Sequence, residues 1–452
     1  MFGKDYYGAA SSPIMNVKTT DQLKLGWVIR TPDLLPRFAE YSYYGLLAYT
    51  MMNEAWGISI PLLGGGGMLL LAAYSAWRLK KHWADVYEPT ALLMGCAISF
   101  LIIQIAIHEQ EPLGDFARLY ANWIFAVIIV QSLCLDENFL HRFALAALGI
   151  SVLMLPYLIL HDAPDESGRA GLEFGLTNPN ALAEWFGFLS VYLVVLAVET
   201  RRNMIRNASL ILAMACLFVL ALTVSRGALA GFGLAVIVAL RRILKRGFLP
   251  ALAMMIVVSG VFVSGVFDES ISHYAERGRE ETGRFSVWPL VIDRFLETPL
   301  LGVGDAKLGT YVPEAGLEIS PHNGFLYFAL ASGIVPLLFF VGYWVKAIVR
   351  SFQATSQGLA DSAFKLPLII YTLIATLLSN GSYMYAWAVV VLCNATAHRM
   401  RRSRPVVLRV FQPGETSATG ARIQDRGSLA VGRRLDSSPL SAARKSGRDP
   451  IK

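Results

Sequence analysis

Three short stretches of this chain carry side chains of the kind that handle charged oxygen. In Thr223-Val224-Ser225-Arg226-Gly227-Ala228, Arg226 stands between two apolar runs, with Ser225 placed to cap the second as a helix. A guanidinium there adds fixed charge to a helix end that already attracts anions, and its planar fork matches a phosphate or diphosphate. The same position equally suits an Arg snorkelling to lipid headgroups. In Thr282-Gly283-Arg284-Phe285-Ser286-Val287-Trp288-Pro289, Arg284 opens a segment where Phe285, Trp288, Val291, Ile292 and Phe295 recur at helical spacing. That pattern predicts an amphipathic interfacial helix, bent or restarted at Pro289. In Ser320-Pro321-His322-Asn323-Gly324, His322 directly precedes an apolar helix. The helix dipole disfavours its imidazolium, so a neutral imidazole can accept a proton from a hydroxyl as general base. A capping or interfacial His is the plain alternative.

Weaker signals flank these. Arg169 precedes Asn178-Pro179-Asn180, where Asn and Pro end a loop and begin a helix; Asn178 and Asn180, like Asn323, are candidates for the wall of a substrate pocket or simply turn residues. Pro299-Leu300-Leu301-Gly302-Val303-Gly304 reads as a tight turn, without the third glycine and the strand that a dinucleotide site needs. Gly64 to Gly67 marks close helix packing or a broken helix. The sequence contains no Ser/His/Asp nucleophile set, no metal-ligand cluster and no phosphate-binding loop motif, and it predicts no metal, no cofactor and no nucleic-acid partner.

The elements that must position these residues are membrane helices. Of the residues, 55% are hydrophobic and 16% charged, against the roughly 25% charged residues of a soluble domain. Apolar stretches of about 17 to 25 residues, each long enough to cross the hydrocarbon layer, recur along most of the chain. They predict helices near 38–53, 58–78, 89–108, 119–135, 142–160, 180–198, 207–224, 227–241, 248–267, 323–345, 364–379 and 382–398. The fold class expected is an all-α polytopic integral membrane protein of about twelve transmembrane helices, without strands. Three regions follow: a polar segment 1–37, a helical domain 38–400 with an extracytoplasmic loop over 268–322, and a basic tail 401–452. The segment before Phe38 is not a cleavable signal peptide. The last fifty residues hold ten Lys or Arg against four Asp or Glu and one aromatic, Phe411, so most of the net charge of +7 belongs to a solvated, disordered tail. Cys96, Cys134, Cys216 and Cys393 lie in or beside apolar runs, with neither zinc nor disulfide spacing.

Every second loop is basic, carrying Arg78, Lys80 and Lys81, then Arg142, then Arg201, Arg202 and Arg206, then Arg241, Arg242, Lys245 and Arg246, then Lys346, Arg350 and Lys365. Short basic loops stay in the cytoplasm, so both termini are expected there. Arg169, Arg226, Arg284 and His322 then fall together on the extracytoplasmic face. A transporter would place ionisable groups or broken helices near the midplane instead.

Ser225-Arg226-Gly227, the stretch from Arg284 to Trp288 leading to Pro299 and Gly302-Val303-Gly304, and Pro321-His322-Asn323, in that order, resemble the O-antigen ligase and polymerase family, and Asn178-Pro179-Asn180 is similar to that family's turn before a middle helix. The resemblance covers about residues 165 to 350 by motif. It implies a membrane-embedded glycosyltransferase of the C-type class in a bacterial inner membrane. Such an enzyme moves a glycan from undecaprenyl diphosphate to an acceptor, lipid A core or a second lipid-linked glycan, on the periplasmic side. It further implies His322 as base, Arg226 and Arg284 as diphosphate ligands and Arg169 as a further basic partner. No metal is required, and a single displacement inverts the sugar. Ligase and polymerase share the leaving group and differ in the acceptor, so both readings stand, with a membrane transporter as the reading from another class.

Overall fold

The computed structural model describes residues 34–52, 61–107, 124–160, 179–244, 284–313, 317–356, 362–378 and 386–397. Expectations for the segment before Leu34, for Arg169 and Asn178, for the helix near 248–267 and for the tail from 401 lie outside these residues. The chain divides at Arg404, and its second unit, Pro405–Lys452, is wholly outside them. The first unit is a helical bundle. Its helices are α1 (Leu34–Met52), α2 (Pro61–Lys81), α3 (Trp83–Ile107), α4 (Ile124–Leu133), α5 (Phe139–Leu160), α6 (Pro179–Glu199), α7 (Asn203–Leu222) and α8 (Arg226–Leu244). They are followed by α9 (Arg284–Glu297), α10 (Gly324–Ser332), α11 (Ile334–Ser356), α12 (Ser362–Leu378) and α13 (Ala386–Thr396). Among the described residues, α3, α5, α6, α7 and α11 are long and apolar enough to cross a membrane.

Apolar composition makes these segments helical because a bilayer offers no partner for an unpaired backbone group. Burial then separates centre from periphery. The apolar core of α6 is 89% buried and that of α7 33%, so α6 runs inside the bundle while α7 turns Ile211 and Phe218 outward. Helix α6 packs against α7, α8 and α12, and α3 packs against α11. In the core, the Trp185 indole donates to Ser151 Oγ at 2.8 Å, which satisfies the polar end of a large buried ring.

Polar contacts gather at the two ends. At one, Arg142 holds the buried Glu40 carboxylate at 2.5 and 2.8 Å and also reaches Asp136 at 3.1 Å. Arg78 donates to the Ser132 carbonyl, Lys346 and Arg350 both meet Glu88, and Arg350 and Lys365 donate to the last carbonyls of α13, at Thr396 and Asn394. Cations at a helix C-terminus complement its dipole. Arg78, Arg142, Lys346, Arg350 and Lys365 come from loops expected on one face, and the bundle does bring them to one end. Helix α3 runs from Glu88 at this basic end to Gln104 at the other, where the candidate site residues lie.

Two expectations change and two open alternatives narrow. The span 323–345 is two helices, broken at Gly333, where φ is +75°. Helix α9 runs unbroken through Pro289. Helix α2 is continuous through Gly64–Gly67, and a Cβ on Gly67 would stand 3.1 Å from Leu46, so Gly67 admits the close approach of α1. Finally, the fold is not purely helical: β1 (Thr310–Val312) and β2 (Leu317–Ile319) pair antiparallel as a short hairpin. Six-residue pairings of this kind carry too little alternation to stand out in sequence.

Candidate functional site

Helices α7 and α8 are joined by Thr223, Val224 and Ser225 alone. So short a turn forces Val224 to φ +50°, a conformation a β-branched residue adopts only under strain. Arg226 follows as the first residue of α8, half-buried. Ser225 was expected as an N-cap; its hydroxyl donates to Asn180 Oδ1 at 3.1 Å, tying the turn to the first residues of α6. A Cβ on Gly227 would stand 3.0 Å from Leu378 Cβ, so α8 starts in close contact with the end of α12.

A second group forms around His322. Arg284 opens α9, and one turn later the Trp288 indole donates to the Pro321 carbonyl at 3.0 Å. Val287 and Val291 bury the inner side of that helix. His322 itself lies at φ +46°, half-buried, immediately before Asn323. Asn323 caps α10, its Oδ1 accepting from the N–H groups of Phe325 and Leu326 at 3.0 and 3.2 Å. Its amide is thereby committed to the helix, so the structure uses it to fix the backbone beside His322. Among the described residues Val224 and His322 are the non-glycine residues with positive φ. One adjoins the Ser225-Arg226 pair and the other is the candidate base.

The turn at 299–304 proves to be a bracket. Val303 N–H donates to Leu330 O at 2.7 Å, Gly304 N–H to Ala331 O at 3.2 Å, and Ile334 N–H to Pro299 O at 2.8 Å. The first two bonds satisfy carbonyls, and the third an N–H, that the break at Gly333 would leave orphaned. Gly302, at φ +69°, has Ser332 N 2.7 Å from where a Cβ would sit, so only glycine admits this approach. Three residues not singled out in sequence complete the bracket. Gln104, buried at the end of α3, donates to Ala331 O at 2.8 Å and accepts from Asp305 N–H at 2.8 Å. Tyr327, in α10, donates to Asp305 Oδ1 at 2.5 Å. A Gln inside an apolar run was the available signal, since a buried amide must find partners.

The structure therefore joins Asn180 to Ser225 beside Arg226, and the Arg284 helix to the His322 loop. Both groups border α12, which packs against α6, α8 and α10. The side chain of Arg284 and all of Arg169 and Asn178 are outside the described residues. Chemically, the arrangement offers a half-buried arginine at one helix start, and a histidine whose backbone holds an unusual conformation just before another.

Residues 209–341 match the sequence model of a family described as O-antigen ligase. The chain is also 23% identical over 322 residues, 66% of its own length and 77% of the relative's, to a Rickettsia conorii protein named "Putative polysaccharide ligase". The matched stretch contains the Arg226 turn, the helix opened by Arg284, the 299–304 bracket and the His322 loop, and over it the chain is similar to the O-antigen ligase family.

Proposed function

We propose that this protein is an O-antigen ligase-like glycosyltransferase of a bacterial inner membrane. It moves a glycan from undecaprenyl diphosphate to a hydroxyl of lipid A core on the periplasmic face. The observation that carries this reading is the coincidence of backbone strain with chemistry: Val224 and His322 hold positive φ beside the predicted diphosphate ligand and at the predicted base. Strain of about 1–3 kcal/mol at such positions persists where the surroundings impose it, and it gathers at functional sites.

In the proposed step, neutral His322 accepts the acceptor's hydroxyl proton while that oxygen bonds to the anomeric carbon. The bond from that carbon to the phosphate oxygen breaks, and its electron pair leaves on undecaprenyl diphosphate. Arg226 and Arg284, with Arg169 as a further basic partner, hold the departing charge, so the proposal needs no metal. One displacement inverts the anomeric centre. Asn178 and Asn180 would shape the pocket wall, Asn180 through Ser225. Polymerisation onto a second lipid-linked glycan uses the same groups with another acceptor, and the supply of acceptors decides between them.

The test is release of undecaprenyl diphosphate from a lipid-linked glycan by the purified full-length protein in bilayers, with lipid A core or lipid-linked glycan added. Acceptor-dependent release that His322→Ala and Arg226→Ala abolish supports the reading. No turnover with any acceptor, or full activity in His322→Ala, sinks it.

A further inference from the structure

The hairpin β1–β2 leads straight into the His322 loop. Its register sets Tyr311 opposite Glu318. Thr310 and Val312 are buried while Tyr311 is 60% exposed and Glu318 is exposed, so the pleat sends this cross-strand pair outward. Directly opposed residues of an antiparallel pair have Cβ atoms about 5 Å apart, close enough to contact one ligand together. Gly309 extends the same surface. A Cβ there would stand 3.1 Å from Glu318 Cβ, so the Glu318 side chain lies over bare backbone. That backbone is pinned from below by Arg294, which donates to the Gly309 carbonyl at 2.5 Å. The result is an aromatic ring and a carboxylate side by side on a platform anchored to α9, the helix that Arg284 opens.

We propose that Tyr311 and Glu318 form a subsite for a neutral sugar ring of a glycan whose end lies at His322. A pyranose has an apolar face of C–H groups that suits an aromatic ring, and a rim of hydroxyls that donate to a carboxylate. An anionic lipid headgroup gains nothing from Glu318, and an acyl chain has no use for it. Glu318 and His322 are four positions apart, at most about 14 Å of extended chain, so a ring on the hairpin is within a short oligosaccharide of the reacting hydroxyl. The glycan is either the acceptor's or the donor's; the chemistry is the same, and kinetics separates them. This subsite rests on the glycosyltransferase reading above.

The experiment uses the full-length protein in bilayers, with lipid-linked glycan and lipid A core each varied in turn. Tyr311→Ala and Tyr311→Leu should raise KM for one of the two about fivefold to tenfold, the scale of one aromatic contact. The turnover number should stay within about twofold, Tyr311→Trp should restore KM, and Glu318→Gln should raise the same KM. A rise for lipid A core assigns the ring to the acceptor, a rise for the lipid-linked glycan to the donor. Unchanged KM for both in Tyr311→Ala overturns the subsite while leaving the transferase reading intact. So does wild-type behaviour of Tyr311→Leu, which would make Tyr311 an apolar membrane anchor. If the wild type shows no turnover, the transferase reading fails, and calorimetric titration of free core oligosaccharide into wild type and Tyr311→Ala decides the subsite separately: binding lost in the variant supports it, and no binding to either overturns it.

Discussion

At the residue scale, the proposal makes His322 and Arg226 differ in how they fail. Removing a general base typically costs 10²–10⁴-fold, so His322→Ala should lower the turnover number by about that factor, with little change in KM for the lipid-linked glycan. Arg226→Lys keeps the charge but loses the planar fork, and should cost about tenfold or more in kcat/KM; steady-state release assays check both. Arg226 and His322 were legible because charge and imidazole are rare in an apolar chain and both sat at helix starts. The positive φ values at Val224 and His322 were not legible. They arise because a three-residue turn must reverse two packed helices, and because the capped start of α10 fixes the residue before it. Neither constraint can be read before the helices are placed.

At the level of elements, the bracket of 299–304 against α10 and α11 is where packing governs chemistry. Gly302→Ala and Gly333→Ala push a Cβ into backbone atoms at positive φ, and each should destabilise the protein by about 2 kcal/mol or more, read as a lowered thermal midpoint. Tyr327→Phe removes the bond to Asp305 while keeping the ring; it should lower turnover with a much smaller change in thermal midpoint, because α10 loses the tie that fixes its rotation. At the basic end, burial alone would raise the Asp136 carboxyl, but the Asn138 N–H and the Arg142 guanidinium outweigh it and hold it below 3.8. A lowered native value stabilises above the ordinary carboxylate range and is lost as pH falls through it. The thermal midpoint should therefore drop on acidification below about pH 4, and less steeply in Asp136→Asn. Periodicity gave α6 and α12 to within two residues at each end, and α5 and α7 to within four. It missed the break at Gly333 because apolar sequence continues across it, and the carbonyls it exposes are satisfied from residues thirty positions earlier.

For the whole molecule, residues from three of the five basic stretches share one end of the bundle. Arg78, Arg142, Lys346, Arg350 and Lys365, scattered over nearly three hundred positions, converge on Ser132, Glu40, Glu88 and the end of α13. Arg142→Ala would leave Glu40, a carboxylate only 2% exposed, with the Tyr44 hydroxyl at 2.6 Å and Arg37 at 3.8 Å in place of its bidentate partner, and should lower the thermal midpoint, whereas Arg142→Met with Glu40→Met should recover most of it. Single cysteines at Lys307 and at Glu137 should label from opposite sides of the membrane, Lys307→Cys from the periplasm in intact cells. The broken span also bears on how the protein is made. Nine residues of α10 rise about 13 Å, too short to cross a bilayer alone, whereas the 23 residues of α11 are long enough. The last carbonyls of α10 at Leu330 and Ala331 are satisfied when the bracket of 299–304 docks onto them. Both sides of that contact, and the Trp288 and Asn323 contacts beside His322, precede α11 in the chain, so a nascent chain halted before α11 would already carry every residue that orients the candidate base.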